Sequence, residues 1–358
     1  MRKIAILGHA SRLPSTNDSQ FWDDLLAGRD LVTQVAEGRW AREALRHPRR
    51  SHPGSSVTFA GGSLGDVSGF DAGFFHISPR EAAAMDPQQR LLLEMTWEAL
   101  AHAGINPEKL RGSRTGVFIG LASTDYGYRL ADDLAAIGPN TATGTTASIA
   151  ANRLSYVFDL RGPSMAVDTA CSSALVAFHQ ACQSLLAGES ELALSGAISL
   201  HLHPFGFLIF SQASMLSAGG RCRPFDADAD GYARSEGGGI FVLKEYERAR
   251  RDGDRILAVV TASGINTDGH KSGLTIPSVS AQETLLREVY AKAGVEAGQI
   301  AYLEGPHASK AIRLRTEGFL AALEDHGCTL TEELVGVGDL TYGSGRQFAA
   351  ALLASEHP

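Results

Sequence analysis

The sequence predicts an α/β fold. Short apolar stretches of strand length alternate with longer segments whose apolar residues recur at helical spacing. The clearest case is residues 165–186. Met165, Ala166 and Val167 form a buried strand end, and the small residues Thr169, Ala170, Ser172, Ser173 and Ala174 form a tight turn. Leu175, Val176, Phe178, Ala181, Leu185 and Leu186 then line one side of a helix. The second observation is a set of further short apolar runs at 4–8, 117–120, 192–197, 240–244 and 256–260. The third is size: 358 residues, 44% of them hydrophobic, suffice for the core of one large domain or two fused halves.

Each element has a local reason. Residues 4–8 read as a first buried strand, and no G-x-G-x-x-G follows it, so a dinucleotide site has no support. Residues 15–28 read as a loop and short helix carrying Phe21, Trp22, Leu25 and Leu26, and 30–75 are loop-rich. A helix begins after Ser78, with Ser78 as N-cap and Pro79 at its first position. The string Met85-Asp86-Pro87-Gln88-Gln89-Arg90 precedes a long amphipathic helix with Leu91, Leu92, Leu93, Met95, Trp97, Leu100 and Ala103 in its stripe. Residues 204–210 are rich in aromatics: Phe205, Phe207 and Phe210 suit either a tunnel wall or plain core. A helix from about Ser280 places Leu285, Leu286, Val289 and Tyr290 on its inner face.

The totals exclude several classes. A net charge of −8 argues against a nucleic-acid partner. The basic runs at 42–50 and 248–255 are solvated loops or docking patches for an acidic protein. Cys171, Cys182, Cys222 and Cys328 show neither metal spacing nor a disulfide framework, which fits a reducing, cytoplasmic setting. Cys182 falls on the helix after Cys171 and belongs to the core. No signal peptide and no membrane-spanning run is expected. His201-Leu202-His203 places two imidazoles on one face of a strand without a third ligand, so no metal and no cofactor is expected.

Cys171 is the candidate nucleophile. A strand, a tight turn and a helix put it at a helix N-terminus, where the dipole and free N–H groups favour a thiolate. Small neighbours admit a substrate carbonyl, and backbone N–H groups can receive an oxyanion. On turn chemistry alone an ordinary buried cysteine stands equally well.

Asp168-Thr169-Ala170-Cys171-Ser172-Ser173 resembles the active-site turn of the β-ketoacyl synthases, in particular the ketosynthase domains of modular polyketide synthases. Met85 to Arg90, Phe21-Trp22, Gly38-Arg39-Trp40, residues 143–156, Leu216 to Asp226, Ser235 to Gly239 and Asn266 to Ser278 carry the same resemblance. It implies a thiolase-like five-layered α-β-α-β-α fold of two related halves. These are 1–250 with the nucleophile turn and 251–358 with an incomplete end, in a single domain over 1–358. It implies a Cys171 thioester with an acyl group delivered by an acyl carrier protein, and two histidines assisting decarboxylative condensation. Glu236 then lies near the active-site base, or is a buried structural carboxylate with Arg234 or a backbone turn as partner. A homodimer, or a heterodimer with a ketosynthase, is the expected assembly.

The resemblance runs through 1–303 and breaks at about 304. The family's Glu-Ala-His-Gly-Thr-Gly-Thr is replaced by Glu304-Gly305-Pro306-His307-Ala308-Ser309-Lys310. Aligned without a gap, Pro306 takes the first catalytic histidine's place and His307 falls one residue late, next to a proline that restricts the backbone. In the second string, Asp339 stands where the family has Lys, and Ser344 where it has the second catalytic His. The chain ends at Pro358, short of the family's usual end. Loading Cys171 needs only a thiolate and an oxyanion pocket. Condensation also needs donors on the malonyl carbonyl oxygen, and losing one such donor commonly costs about 2.7–4 kcal/mol.

Three readings follow. The first is a ketosynthase-family acyltransferase of polyketide or fatty-acid-type biosynthesis, acylated on Cys171, with condensation impaired or lost. The second is a non-catalytic partner like the chain-length factors, which generally lack the cysteine. The third is a working condensing enzyme that uses His307 with His201, His203 or His270. A truncated or decayed copy is a further possibility.

Overall fold

The computed structural model describes residues 2–14, 18–36, 38–223, 228–295, 302–304 and 335–337. In chain order the elements are β1 (Ile4–Arg12), α1 (Asp18–Leu26), β2 (Val32–Gln34), β3 (Ala60–Gly62), α2 (Pro79–Ala84), α3 (Pro87–His102) and β4 (Thr115–Gly120). Then come α4 (Asp125–Ala131), α5 (Thr141–Thr145), α6 (Ala147–Phe158), β5 (Ser164–Val167), α7 (Ser173–Ala187), β6 (Leu192–Ser199) and α8 (Phe205–Gln212). Last are β7 (Arg234–Ser235), β8 (Gly237–Glu245), α9 (Tyr246–Asp252), β9 (Ala258–Val260), α10 (Val279–Ala293), β10 (Tyr302–Glu304) and β11 (Val335–Val337).

Two compact units result. One is formed within Met1–Phe21, Leu31–Arg221 and Gly231–Ile265, the other within Trp22–Asp30, Cys222–Asp230 and Asn266–Pro358. The first unit holds a six-stranded sheet in the order β5-β4-β6-β8-β1-β9. β4 runs parallel to β5 and β6, whereas β8 is antiparallel to β6 and β1, and β1 is antiparallel to β9.

The two-residue period of a strand sorts the side chains onto two faces. Ala5, Leu7, Val117, Ile119, Leu194, Ile240 and Val242 pack with Leu92, Leu93, Met95, Ala99 and Leu100 of α3 and Ala150, Ala151 and Leu154 of α6. Ile4, Phe118, Ala193 and Leu243 point the other way, onto Ala177, Ala181, Cys182 and Leu185 of α7. The unit is therefore a helix–sheet–helix sandwich, and Cys182 is core, its thiol pushed up to about 11 by burial. A smaller sheet, β2-β3-β7, sits with a third apolar cluster of Val35, Phe59, Phe207 and Leu216.

The helix starts follow cap chemistry. Ser78 Oγ accepts from Glu81 N at 3.2 Å with Pro79 in the first turn, as the sequence predicts. Asp86 caps α3 in the same way, accepting from Gln88 N at 2.8 Å, again ahead of a proline. Residues 205–212, read above only as aromatic-rich, form α8.

In the second unit, Ser278 caps α10 and Gly294 ends it with φ +71°. Leu285 and Val289 are half-buried, but Leu286 and Tyr290 of the expected inner face are exposed. β10 pairs in parallel with β11, Tyr302 opposite Val335. Among the described residues no helix is long and apolar enough to cross a membrane.

Candidate active site

β5 delivers the chain to the cysteine turn. Its register with β4 sets Val167 opposite Gly120, and Leu121 N donates to Val167 O at 3.0 Å. The next residues bond among themselves. Ala170 N donates to Asp168 Oδ1 at 2.9 Å, and Thr169 N to Ser173 Oγ at 2.9 Å. Ser172 Oγ donates to Thr169 O at 2.8 Å, and Ser173 Oγ to Ala170 O at 2.6 Å. These short polar side chains satisfy the backbone of a turn that makes no ladder.

The turn is tight enough to force Ala170 to φ +54°, a left-handed conformation that costs an L-residue about 1–2 kcal/mol. Cys171 is the next residue. It is a free thiol, exposed, in a single 3₁₀ turn (Ala170–Ser172) immediately before α7. The helix begins at Ser173, so Cys171 precedes its first turn and is not part of a buried helix. Gly120 makes this approach possible, since a Cβ there would lie 2.6 Å from the Ser173 carbonyl carbon. Only glycine lets the end of β4 meet the start of α7.

A second polar centre lies in the same unit. Glu236 is 5% exposed. Its Oε2 accepts from Leu64 N at 2.8 Å and Ser63 Oγ at 3.3 Å, and its Oε1 accepts from His201 N at 2.9 Å. The ion-pair partner is Arg39 at 3.3 Å, not Arg234. Arg39 also donates to Gly65 O at 2.8 Å and His201 O at 3.2 Å. Arg39 sits in the Gly-Arg-Trp string noted above, but nothing local in the sequence pairs it with Glu236, 197 positions away.

His201 and His203 follow β6 rather than lying on a strand. His201 is buried, and burial together with the Arg234 and Arg39 charges pushes its pKa down to about 3. Its Nδ1 has no hydrogen-bond partner and its ring meets Phe207 edge-on at 5.2 Å. Among the described residues no cluster of histidine, cysteine and carboxylate side chains could hold a metal ion.

Of the three phenylalanines, Phe207 is fully buried in the cluster with Phe59 and Leu216. Phe205 is exposed beside Tyr128 at 4.9 Å, and Phe210 is half-buried beside Tyr232 at 6.2 Å. Pro306, His307, Asp339 and Ser344 lie outside the described residues.

The 85–90 string proves to be a hub of buried hydrogen bonds. Gln88 Oε1 accepts from Leu200 N at 3.1 Å while its Nε2 donates to Asp86 and to Ser123 O, both at 3.0 Å. Gln89 donates to Gly144 O and accepts from Arg153 Nε at 2.7 Å. Arg90 closes on Met85 O. These bonds tie α3 to the loops after β4 and β6 and to α5 and α6. Burial pushes Asp86 up to about 6 despite two hydrogen bonds from Gln88.

Comparison with known proteins decides the family. The model of the β-ketoacyl synthase N-terminal domain matches residues 1–249, and that of the C-terminal domain matches 257–317. The chain belongs to the β-ketoacyl synthase family. One polypeptide of the phenolphthiocerol/phthiocerol polyketide synthase of Mycobacterium tuberculosis is 44% identical over 349 residues, 96% of this chain and 23% of that protein. Another polypeptide of the same synthase is 47% identical over 303 residues, 84% of this chain and 16% of that protein. The chain thus spans about a quarter or less of the length of these relatives.

Among solved structures, an oxazolomycin ketosynthase domain of Streptomyces albus superposes with TM-score 0.84 at 35% identity, over 98% of this chain and 63% of that one. The ketosynthase from module 6 of the Bacillus subtilis bacillaene synthase gives 0.81 at 32%, over 99% and 61%. The β-ketoacyl synthase chain therefore has the mixed α/β, thiolase-like fold that the resemblance implies, and it is a ketosynthase-type domain of the polyketide synthase kind.

Proposed function

We propose that this chain is acylated on Cys171 by an acyl carrier protein and that its capacity for decarboxylative condensation is impaired or lost. The exposed thiol on a strained turn at the start of α7 carries this reading. In the acylation step the Cys171 sulfur attacks the thioester carbonyl of the carrier-bound acyl group. The new C–S bond forms as the carrier's C–S bond breaks, and the carrier thiol leaves with the proton. The dipole of α7 stabilises negative charge at its N-terminal end.

Condensation demands more. The malonyl thioester must lose carbon dioxide while negative charge collects on its carbonyl oxygen. The family holds that oxygen with histidine donors, and this chain has Pro306 and Ser344 in those places. Asp339, where the family has Lys, would oppose enolate formation if its carboxylate points inward.

A dimer belongs to the same proposal. β5 is an edge strand. On α6 and α7, the helices that pack on the two faces of the sheet, Tyr156 is 85% and Leu175 76% exposed, apolar surface that a partner could cover.

The test is a two-step reaction. The chain is first loaded from an acyl-carrier thioester and then given a malonyl-carrier thioester. The expected result is a Cys171-dependent acyl adduct that passes to an added thiol without a new carbon–carbon bond. A β-ketoacyl product formed at a normal ketosynthase rate would overturn the loss of condensation. A folded chain that takes no acyl group would favour the chain-length-factor-like partner instead.

A further inference from the structure

We propose that the cleft at the C-terminal end of α7 is an anion site that takes a phosphate-bearing small molecule, apart from the Cys171 turn. The cleft has a volume of about 380 Å³, and four arginines line it (Arg2, Arg114, Arg248 and Arg251) together with Glu191, Glu245 and Glu247. Cys171 precedes the other end of this helix, whose 15 residues rise about 22 Å. The guanidinium groups come from three places in the chain. Arg2 lies before β1, Arg114 before β4, and Arg248 and Arg251 on α9. Strand register brings these places to one end of the sheet, with Ile4 opposite Glu245 and Thr115 opposite Leu192. Glu191 then holds two of the four. Its Oε1 lies 3.1 Å from Arg114 Nη2 and its Oε2 3.6 Å from Arg248 Nη2, while Arg114 also donates to Gly188 O at 3.3 Å.

The carboxylates of the cleft are already engaged. Glu191 is shared between two arginines. Glu245 Oε2 accepts from Arg248 N at 2.8 Å as the cap of α9, and Glu247 pairs at 3.8 Å with Arg250, which does not line the cleft. Among the described residues neither Arg2 nor Arg251 forms an ion pair or a side-chain hydrogen bond. Asp252, next to Arg251 in sequence, is held by Lys244 at 2.6 Å, and Arg251 acts on it only from beyond ion-pair distance. Two guanidinium groups that line one cleft are therefore left for a ligand. A phosphate brings up to two negative charges, and its oxygens match the planar N–H fork of arginine. The cleft has the volume of a small-molecule site. A compact dianion can sit against the two remaining cations, whereas an extended acidic segment must also pass the three carboxylates.

The probe is pyrophosphate, titrated calorimetrically into the full chain at low salt. One saturable site per chain is expected, weakened about tenfold by Arg251→Gln and by Arg2→Gln. Arg250→Gln, on the same helix but outside the cleft, should keep the affinity within about twofold. Added salt should weaken the binding, since exposed charges are screened. A second measurement needs no variant. In the unmodified chain, pyrophosphate should slow the reaction of phenylglyoxal with Arg2 and Arg251, followed by peptide mapping, and leave Arg250 unprotected. Absence of saturable binding would overturn the proposal, and so would full affinity in both Arg2→Gln and Arg251→Gln. Equal protection of Arg250 would reduce the binding to general attraction by surface arginines and overturn it as well. Polyglutamate that binds the cleft more tightly than pyrophosphate would replace the small ligand with an acidic protein surface.

Discussion

Cys171 and Glu236 occupy the same compact unit in opposite settings. Glu236 is buried, and its two carboxylate oxygens together take two backbone N–H groups, a hydroxyl and a guanidinium. Cys171 is exposed, follows a residue held at φ +54°, and sits on a turn whose polar side chains bond to one another. The difference separates two uses of polar chemistry. A group whose hydrogen bonds are complete and dry holds chain segments in place. An exposed thiol on a strained turn is where the proposed acylation would place its substrate.

This contrast is open to breakage at several points. The largest effect is expected at the thiol: Cys171→Ala should abolish the acyl adduct seen by intact mass while changing unfolding free energy by less than about 0.5 kcal/mol. Loss of folding in this variant would make Cys171 a structural residue. Glu236→Ala should do the reverse. It strands Arg39, the buried His201 N–H and the part-buried Leu64 N–H, so urea unfolding should show a loss of about 3–5 kcal/mol. An unchanged midpoint would mean that the clamp contributes nothing.

Asp86 sharpens the comparison through pH. Its folded-state pKa, raised to about 6 by burial, lies above the ordinary carboxylate value of 3.8. The folded chain therefore binds more protons than the unfolded one between these values. The stabilisation from the protonated form is fully present below about pH 4 and is lost as pH rises through 6. Asp86→Asn keeps a capping oxygen and never ionises. Relative to the unmodified chain, its stability should improve between pH 4 and pH 7.5 by roughly 2–3 kcal/mol in urea titrations. A pH-independent difference would show that Asp86 ionises freely. The smallest effect is at Ala170→Gly, which removes the left-handed penalty but frees the unfolded chain. The net should be a gain of about 0.5–1 kcal/mol. A loss would show that the turn is not strained.

Much of the scaffold was legible because it is local. The strands at 4–8, 117–120 and 192–197, the cap at Ser78 and the core place of Cys182 follow from periodicity and cap chemistry within a few residues. The cysteine turn was legible for the same reason, although the exposure of Cys171 was not. The Glu236–Arg39 pair and the contact of Asp125 with Leu202 and His203 join residues 77 or more positions apart. Sheet topology brings them together, and no short-range pattern encodes it. Phe207 shows the same gap, since an aromatic run does not say which ring is buried, and it is packing on Phe59 that buries this one.

The most direct measurement is the site of acylation. The folded chain would be incubated with a panel of acyl-carrier thioesters, digested and mapped at Cys171, Cys182 and Cys222. One acyl group per chain is expected, carried by the Cys171 peptide and absent from Cys171→Ala. An acyl group on Cys222, or none in a chain shown to be folded, would rule out Cys171 as the acylated nucleophile.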